Sequence, residues 1–305
     1  MVSKKSLTAC ILAAAMLAGC GSGSSAGTAA SSDSSTASTA ASESVSGSVT
    51  AAGSSALLPL AQAAAESFMQ KNPDCVVTVN GGGSGEGLKQ VADGSIDIGD
   101  SDVFAEEKLD ASAADGLVDH QVAIVAMAAV VNKDLGITNL TTDQLISIFK
   151  GETTNWKDVG GPDEDILLVT RPSSSGTRAT FSKYAMNGES EADNQALETD
   201  DSGTLVQTIT DNKDAIGYVA LSYLVENKDL QAVSIDGVEP TLENVYSGDY
   251  KVWSYEHMYT KGDGSDAAQA FIKYMTSDEF SSKVEDMGYG VVASLTDAAK
   301  KTHAD

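Results

Sequence analysis

The sequence predicts an α/β protein with two lobes and mostly parallel sheets. Apolar runs of strand length alternate with amphipathic helical patterns from Val49 onward, an alternation typical of parallel sheets covered by helices. The run from Val122 to Asn132 is almost free of charge, as expected of a parallel strand, or a pair of strands, buried on both faces. The folded length suits two lobes, and the chain shows no internal repeat.

The N-terminal segment is typical of a lipoprotein. A short basic start precedes an apolar core, Leu7 to Leu17, that is too short to remain as a membrane-spanning helix. The core ends in Leu-Ala-Gly-Cys, so we expect a signal peptide at 1–19 and a lipid on Cys20 that holds the protein at the outer face of the cytoplasmic membrane. The alternative is an ordinary secretory signal with an incidental cysteine. Residues 20–48 are rich in serine and alanine and predict a flexible tether.

Local patterns predict the helices and strands in order along the chain. The first helix ends at Asn72 and Pro73, and its apolar positions share one face: Leu57, Leu60, Ala61, Ala64 and Phe68. A later helix begins at Thr141 or Thr142 and ends at Gly151. Further strands are expected at Cys75–Asn80, 165–170 and Ala215–Ala220, and a helical segment at 266–288.

The charge balance is strongly acidic, with 44 Asp and Glu against 19 Lys and Arg. Such a surface repels nucleic acid, which is therefore excluded as a partner. It also provides no long-range attraction for a small anion. An anion site in this chain must depend on local dipoles and a few placed donors.

Cysteine and histidine usage argues against disulfides and metal cofactors. One cysteine would leave with the signal peptide and Cys20 would carry lipid, so Cys75 stands alone in the folded part. His120, His257 and His303 are far apart in sequence and have no Cys or His at ligand spacing. We expect no metal and no other cofactor, with His120 and His257 as surface or packed residues and His303 in a frayed tail.

Three segments share a pattern of strand, turn and helix in which Gly, Ser and Thr fill the turn. They are Ala-Gly-Ser-Ser at 52–55, Gly-Gly-Gly-Ser at 81–84 and Arg-Pro-Ser-Ser-Ser-Gly-Thr-Arg at 171–178. The start of a helix offers free N–H groups and the positive end of its dipole, and hydroxyls add donors. One such turn is more often only a helix cap. Three of them, one with an arginine, predict a site that binds an anion.

The same segments do not match catalytic motifs. Gly82 and Gly87 have the spacing of a P-loop, but Leu88 stands where a P-loop requires lysine. Ser84 is not in a nucleophile elbow, because Glu86 stands in place of the last glycine. We therefore expect binding without catalysis.

In this order, the segments resemble the substrate-binding proteins of phosphate ABC transporters, the PstS family, over nearly the whole chain from Val49. The resemblance rests on the turn at 53–56, on Ile-Gly-Asp-Ser-Asp at 98–102 and on Arg-x-x-x-Ser-Gly-Thr at 171–177. It implies a type II periplasmic-binding-protein fold with the ligand in a cleft between two lobes. The lobes would be 49–131 with 255–305, and 132–254.

The resemblance also implies which residues bind phosphate. Arg171 would supply the full positive charge, and Asp102 would accept a hydrogen bond from the ligand. Hydroxyl and backbone donors would come from the three turns: Ser54, Ser55, Ala56, Ser84, Ser175, Gly176 and Thr177. Arg178 is an extra cation that either pairs with an acidic neighbour or reaches the ligand.

Asp102 is the residue expected to select phosphate. Phosphate is protonated at neutral pH and can donate to a carboxylate, whereas sulfate has no proton to give. A buried carboxylate that faces a bare oxyanion costs several kcal/mol, a factor of about a thousand in affinity. Asp97 and Asp100, by contrast, are expected in a solvated turn.

The sequence thus predicts a lipid-anchored, extracytoplasmic protein that binds inorganic phosphate and delivers it to the permease subunits of an ABC transporter. Three alternatives stay open. One is a binder of another tetrahedral oxyanion, such as sulfate, molybdate or tungstate. The others are a serine-dependent phosphoester hydrolase, and a surface adhesin or signalling module on the same fold.

Overall fold

The structure is a computed structural model that describes residues 45–192, 196–225 and 227–303. The expected signal peptide, the expected lipid site at Cys20 and most of the expected tether lie outside these ranges. Within them, no helix is both long enough and apolar enough to cross a bilayer.

The first strand begins inside the segment expected to be tether. Gly47 and Ser48 pair with Cys75 and Val76 of a neighbouring strand. Val45 packs against the hydrophobic core. The serine-rich composition of this segment predicted a tether and not a strand. Backbone hydrogen bonds between strands form without apolar side chains, so the composition gave no sign of β1.

The strands, in chain order, are β1 (Gly47–Gly53), β2 (Cys75–Asn80), β3 (Ile98–Ser101), β4 (Leu117–Asn132), β5 (Asn139–Leu140), β6 (Leu167–Thr170), β7 (Leu197–Glu198), β8 (Ala215–Ala220), β9 (Leu230–Ala232), β10 (Ser234–Ile235) and β11 (Trp253–Lys261). In the described ranges, nine of them form one sheet in the order β2-β1-β3-β11-β4-β8-β6-β7, with β9 beside β4. Strands β5 and β10 form a separate parallel pair.

Pairing in the large sheet is parallel at both ends and antiparallel in the middle. Strand β1 runs parallel to β2 and β3, and β6 runs parallel to β7 and β8. Strand β11 is antiparallel to β3 and β4, and β4 is antiparallel to β8 and β9. The fold is therefore α/β, as predicted.

Strand β4 corrects one detail of the sequence analysis. The apolar run expected to be a parallel strand or a strand pair is the larger part of one strand, and its neighbours are antiparallel. The run is apolar because β4 lies centrally in the sheet and is fully buried from Ala123 to Val131. Its partner changes from β11 at Ala126 to β8 at Met127, so β4 joins two groups of strands. This arrangement fits the predicted two lobes.

The helices cover the faces of the sheet. They are α1 (Leu58–Lys71), α2 (Ser84–Asp93), α3 (Ala111–Ala114), α4 (Thr142–Phe149), α5 (Gly176–Tyr184), α6 (Ser202–Asp211), α7 (Leu242–Ser247), α8 (Asp266–Met275), α9 (Asp278–Val284) and α10 (Asp297–Lys301). Helix α1 buries the predicted apolar face and ends at Asn72, whose backbone N–H donates to the Phe68 carbonyl oxygen. Helix α4 begins with the capping box of Thr141 and Gln144.

The C-terminal region differs from expectation at two points. The helical segment is divided into α8 and α9, because the Ser277 side chain accepts from the Phe280 N–H and starts a new helix. His303 is not frayed. Its ring lies 3.8 Å from the Trp253 ring centroid, and its Nε2 lies 2.8 Å from the Trp253 carbonyl oxygen.

An aromatic cluster supports the helix that carries the arginine signature. Phe181 of α5 stacks on Tyr218 of β8 with ring centroids 4.4 Å apart, and it also contacts Phe149 of α4 at 5.0 Å. All three side chains are fully buried. Helix α5 is therefore held against the sheet by well-packed aromatic rings.

Candidate functional site

The three Gly/Ser/Thr turns predicted to bind an anion meet at one place. The Gly83 N–H donates to the Gly53 carbonyl oxygen at 2.7 Å, which joins the turn after β1 to the turn before α2. The Gly85 N–H donates to the Ser174 carbonyl oxygen at 2.9 Å, which joins α2 to the turn before α5. The N-terminal ends of α1, α2 and α5 are thereby gathered around a common centre.

Two glycines allow this close approach. A Cβ atom on Gly53, whose φ is +141°, would lie 2.1 Å from the carbonyl oxygen of Asp100. A Cβ atom on Gly176 would lie 2.1 Å from the Ser84 hydroxyl oxygen. A larger residue at position 53 would push the end of β1 away from β3, and one at position 176 would push the start of α5 away from the start of α2.

Arg171 lies at the centre and is fully buried. Its Nη1 donates to the Ser202 hydroxyl at 3.0 Å, and its Nη2 donates to the Ser55 hydroxyl at 3.2 Å. Its other hydrogen bonds go to the carbonyl oxygens of Thr199 and Asp200. These partners are neutral, so the charge of the guanidinium group is not cancelled by direct pairing with a carboxylate. Burial lowers the pKa of Arg171, but arginine keeps its proton in proteins.

Asp102 bonds to residues of the second and third turns and is 1% exposed. Its backbone N–H donates to the Ser84 hydroxyl at 3.0 Å, and its Oδ2 accepts from the Thr177 hydroxyl at 2.9 Å. Its Oδ1 accepts no hydrogen bond from an amide, hydroxyl or cationic donor of the described residues. The site thus combines a buried cation with a buried acceptor.

Two of the predicted serines accept hydrogen bonds from backbone N–H groups, Ser54 in the turn before α1 and Ser175 as the N-cap of α5. The Ser54 hydroxyl accepts from the backbone N–H groups of Ala56 at 3.0 Å and Leu57 at 2.9 Å. The Ser175 hydroxyl accepts from the Arg178 N–H at 3.2 Å. Gly176 and Thr177 form the first turn of α5, so their N–H groups have no acceptor within the helix.

Arg178 has acidic and backbone partners. Its Nε lies 3.3 Å from Glu191 Oε2, and its Nη1 donates to the Arg171 carbonyl oxygen at 2.7 Å. Glu191 is buried, so the pair is shielded from solvent. Of the two roles that the sequence left open for Arg178, the structure shows pairing with an acidic neighbour, and this pairing also braces the backbone of Arg171.

The sequence analysis missed three residues that complete the site. Ser202 is fully buried and bonds to the Ser55 hydroxyl at 2.9 Å. The Tyr223 hydroxyl donates to the Ser55 carbonyl oxygen at 2.7 Å, and Lys108 Nζ donates to the Ser173 carbonyl oxygen at 2.7 Å. Ser202 could have been found, because Asp-Ser-Gly-Thr before α6 is a fourth turn of the same kind. Nothing in the local sequence marks Tyr223 or Lys108.

Asp100 contradicts the expectation of a solvated turn. It is fully buried in β3, and neither of its carboxyl oxygens accepts a hydrogen bond from the described residues. Burial, and secondarily the nearby Asp102 carboxylate, raises the pKa of Asp100 to about 8. The residue was misjudged because a run of aspartates is usually solvated, whereas β3 lies between β1 and β11. Asp97 accepts from the Thr50 N–H at 2.8 Å at the start of the same strand.

The histidines have partners away from the site serines. His120 Nε2 lies 3.3 Å from the Thr260 hydroxyl, and His257 Nδ1 lies 2.8 Å from Asp119 Oδ1. Within the described ranges, no group of three or more His, Cys, Asp or Glu residues is arranged to hold a metal ion.

The centre opens to solvent on the side of Ser55. A cleft of about 630 Å³ is bordered there by Ser55, Gly82, Ser174 and Tyr223. A small anion could approach Ser55 by this route, whereas Arg171 is buried behind it and does not line the cleft.

A comparison with protein families agrees with this fold and with the convergence of helix N-termini at the site. Residues 38–279 match a family model described as a PBP superfamily domain. The chain is therefore a member of the PBP superfamily.

Individual relatives narrow the assignment. Phosphate-binding protein PstS of Bacillus subtilis (strain 168) is 51% identical over 243 residues, which is 79% of each chain. A crystal structure from Clostridium perfringens, described as a phosphate ABC transporter substrate-binding protein with bound phosphate, is 33% identical with a TM-score of 0.75 and covers 81% of this chain and 100% of its own. An ABC-type phosphate transport receptor from Vibrio cholerae is 29% identical with a TM-score of 0.63, over 80% and 99%. The chain belongs to the PstS family.

Proposed function

We propose that this protein binds inorganic phosphate at the junction of the three turns and delivers it to the permease of an ABC transporter. The observation that carries the proposal is the combination of Arg171, a buried cation with neutral partners, and Asp102, a buried acceptor, among converging helix ends. The names of its relatives support the same ligand.

Affinity in this proposal comes from donors. Arg171 supplies the positive charge, and the first turns of α1, α2 and α5 supply N–H groups and the positive ends of their dipoles. The residues proposed to contact phosphate are Ser54, Ser55, Ala56, Ser84, Asp102, Arg171, Ser175, Gly176 and Thr177. Ser202 joins them, because it shares hydrogen bonds with Ser55 and Arg171.

Discrimination comes from Asp102. Its Oδ1 receives no amide, hydroxyl or cationic donor of the described residues, so it can accept a hydrogen bond from the oxygen that carries the phosphate proton at neutral pH. Sulfate, which lacks that proton, would bring a bare oxyanion against a carboxylate. This chemistry favours phosphate over the other tetrahedral oxyanions.

The protein acts outside the cytoplasmic membrane in this proposal, held there by lipid on Cys20. A Cys20→Ala variant should be released from membranes and should bind phosphate as tightly as the parent, because Cys20 is not among the residues proposed to contact phosphate. Membrane association that survives a carbonate wash would remove the lipid anchor from the proposal.

The direct test is calorimetric titration of the purified protein with phosphate and with sulfate at neutral pH. Saturable binding of phosphate, with sulfate weaker by at least about a hundredfold, is expected from one unpaired buried carboxylate. Sulfate binding of equal strength would point to another oxyanion as the ligand. Absence of binding to both would refute the proposed function.

A further inference from the structure

Three carboxyl groups are buried where β3 and β11 adjoin the anion site. Asp100, Asp102 and Glu256 are 0%, 1% and 0% exposed. Strands β3 and β11 are antiparallel, with Asp100 opposite Met258 and Ser101 opposite His257. Asp102 directly follows β3 and Glu256 directly precedes His257, so continuation of this register places Glu256 across from Asp102. Because alternate residues of a strand share a face, we expect the Glu256 and Asp100 carboxyls on the same side of the sheet.

These carboxyls have almost no donors. Both oxygens of Asp100, both oxygens of Glu256 and Oδ1 of Asp102 receive no hydrogen bond from amides, hydroxyls or cations in the described ranges. The Thr177 hydroxyl, which donates to Asp102 Oδ2, is the exception. Buried carboxylates without donors are costly, so the cluster needs another source of neutralisation.

Neighbouring cations do not neutralise the three carboxyl groups by direct contact. Lys108 donates to the carbonyl oxygens of Ser173 and Ser175, and the guanidinium group of Arg171 donates to carbonyl and hydroxyl oxygens. Two buried phenols also feel the charge of the cluster: Glu256 contributes to the raised pKa of Tyr289, and Asp102 contributes to the raised pKa of Tyr223, although burial is the main cause in both.

A bound metal does not fit the cluster either, since no metal-binding group of three carboxyl or other ligand side chains is found among the described residues. Protons are the remaining means of reducing the charge. Burial raises the pKa of Glu256 well above its ordinary value, and the Asp102 and Asp100 carboxyls raise it further. A hydrogen bond with the Asp102 side chain contributes to the same rise of the Glu256 pKa. Two carboxyl groups can form such a bond only when one of them carries a proton.

We propose that Glu256 is a positioning residue for the anion site, which stays protonated and donates its hydrogen bond to the Asp102 carboxylate. The inference rests on the proposed function, because it assigns Asp102 the task of accepting a hydrogen bond from the protonated ligand. No proton is transferred: Glu256 keeps its own, and the phosphate keeps its own.

The consequence concerns discrimination between anions. Donors to Asp102 stabilise its ionised form, and only the ionised form repels an oxyanion without a proton. If the Glu256 donor is removed, the Thr177 hydroxyl alone holds the Asp102 side chain, and the carboxylate can turn away from the ligand. Selectivity would then fall although Asp102 itself is unchanged, because the carboxylate would no longer face the ligand in a fixed position.

The test compares two substitutions of Glu256 that have similar volume. Glu256→Gln keeps a donor but cannot ionise, and Glu256→Met has no donor. Titrations with phosphate and with sulfate at neutral pH should give a ratio of affinities within about twofold of the parent for Glu256→Gln. The ratio should fall at least about tenfold for Glu256→Met, the factor expected for one hydrogen bond to a charged group.

Infrared spectroscopy reports directly whether Glu256 is protonated, which a purely structural role for this residue would not require. The difference spectrum between the parent and Glu256→Gln should show loss of a protonated carboxyl band, and it needs only the Gln variant to fold. Loss of a carboxylate band, or stronger binding of both anions by at least about tenfold in Glu256→Gln, would mean that Glu256 is ionised and would overturn the inference. Equal selectivity in both variants would overturn it as well. A parent protein that binds no phosphate would instead refute the proposed function, while the infrared result would still stand.

Discussion

Arg171 and Asp102 are both almost completely buried, yet their surroundings differ. Arg171 directs its donors to neutral oxygens, so its charge attracts any oxyanion. One carboxyl oxygen of Asp102 accepts from Thr177, and the other receives no amide, hydroxyl or cationic donor of the described residues. Asp102 therefore favours a ligand that carries a proton over one that does not. Single substitutions should therefore separate attraction from discrimination.

Asp102→Asn should change selectivity more than affinity. The amide can donate as well as accept, so repulsion of fully ionised oxyanions disappears. The ratio of phosphate to sulfate affinity should fall by more than tenfold, about 1.4 kcal/mol. Arg171→Ala is the matched control, because it should weaken both anions together. An unchanged ratio in a folded Asp102→Asn variant would exclude Asp102 from the site.

Asp100 should make the stability of the protein depend on pH. Its pKa is about 8 in the folded protein and about 4 in an unfolded chain, so the folded state holds an extra proton between these values. The stability that this proton provides is complete below about pH 4 and decreases as the pH rises toward 8. Asp100→Asn removes this dependence. The free energy of unfolding of Asp100→Asn, minus that of the parent, should increase by up to about 1.4 kcal/mol for each pH unit between about 4 and 8.

Denaturant unfolding of the parent and Asp100→Asn at several pH values from 5 to 8 would measure this difference. Asp115, exposed in a loop, provides a control, since Asp115→Asn should leave the curve unchanged. Parallel curves for the parent and Asp100→Asn would show that Asp100 ionises normally.

At the scale of elements, the start of α5 determines how closely the turns approach. The Ser-Gly-Thr sequence occurs twice at a helix start, at 175–177 in α5 and at 202–204 in α6. The two glycines have different surroundings. A Cβ on Gly176 would overlap Ser84, whereas a Cβ on Gly203 would meet only Asp201 Oδ1 at 3.2 Å.

Gly176→Ala should therefore impair phosphate binding, although alanine is a better helix former. Relief of the overlap requires α5 to move from α2, at a cost of about 1–3 kcal/mol. We expect a loss of at least about fivefold in phosphate affinity by calorimetry. Gly203→Ala should bind within about twofold of the parent. Equal effects of the two substitutions would argue that helix spacing at Ser84 does not control the site.

The elements were largely predictable because local patterns decide them. Strands β2 and β8 lie where their alternating or continuous apolar residues placed them, and α4 follows its Thr141 cap. The direction of β4 was not predictable, since a run buried on both faces has the same composition in parallel and antiparallel sheets. Asp100 was misjudged for a related reason: burial of a polar residue depends on distant strands that its neighbours in sequence do not reveal.

At the scale of the whole molecule, contacts at the site connect distant parts of the chain. Ser55 bonds to Ser202, and Asp102 accepts from Thr177. Each pair joins the predicted lobe of 49–131 and 255–305 to the predicted lobe of 132–254. If these lobes separate by bending near Val131 and Ser254, such contacts must open and reform around the ligand.

Small-angle scattering should detect this closure. The radius of gyration should be smaller with saturating phosphate than without it, because the ligand bonds to both sides of the cleft. Arg171→Ala, at the same phosphate concentration, should keep the larger radius of gyration. An identical radius of gyration in the parent with and without phosphate would mean that the lobes do not move.

The position of β11 has a consequence for the synthesis of the protein. It lies between β3 and β4 in the sheet, although it follows both by more than a hundred positions in the chain. While the ribosome is still adding residues before Trp253, β3 and β4 each have an open edge where β11 belongs. The sheet can therefore close only after nearly the whole polypeptide has emerged. Until then the open edges of β3 and β4 can pair with strands of other chains, so the nascent polypeptide needs protection from aggregation.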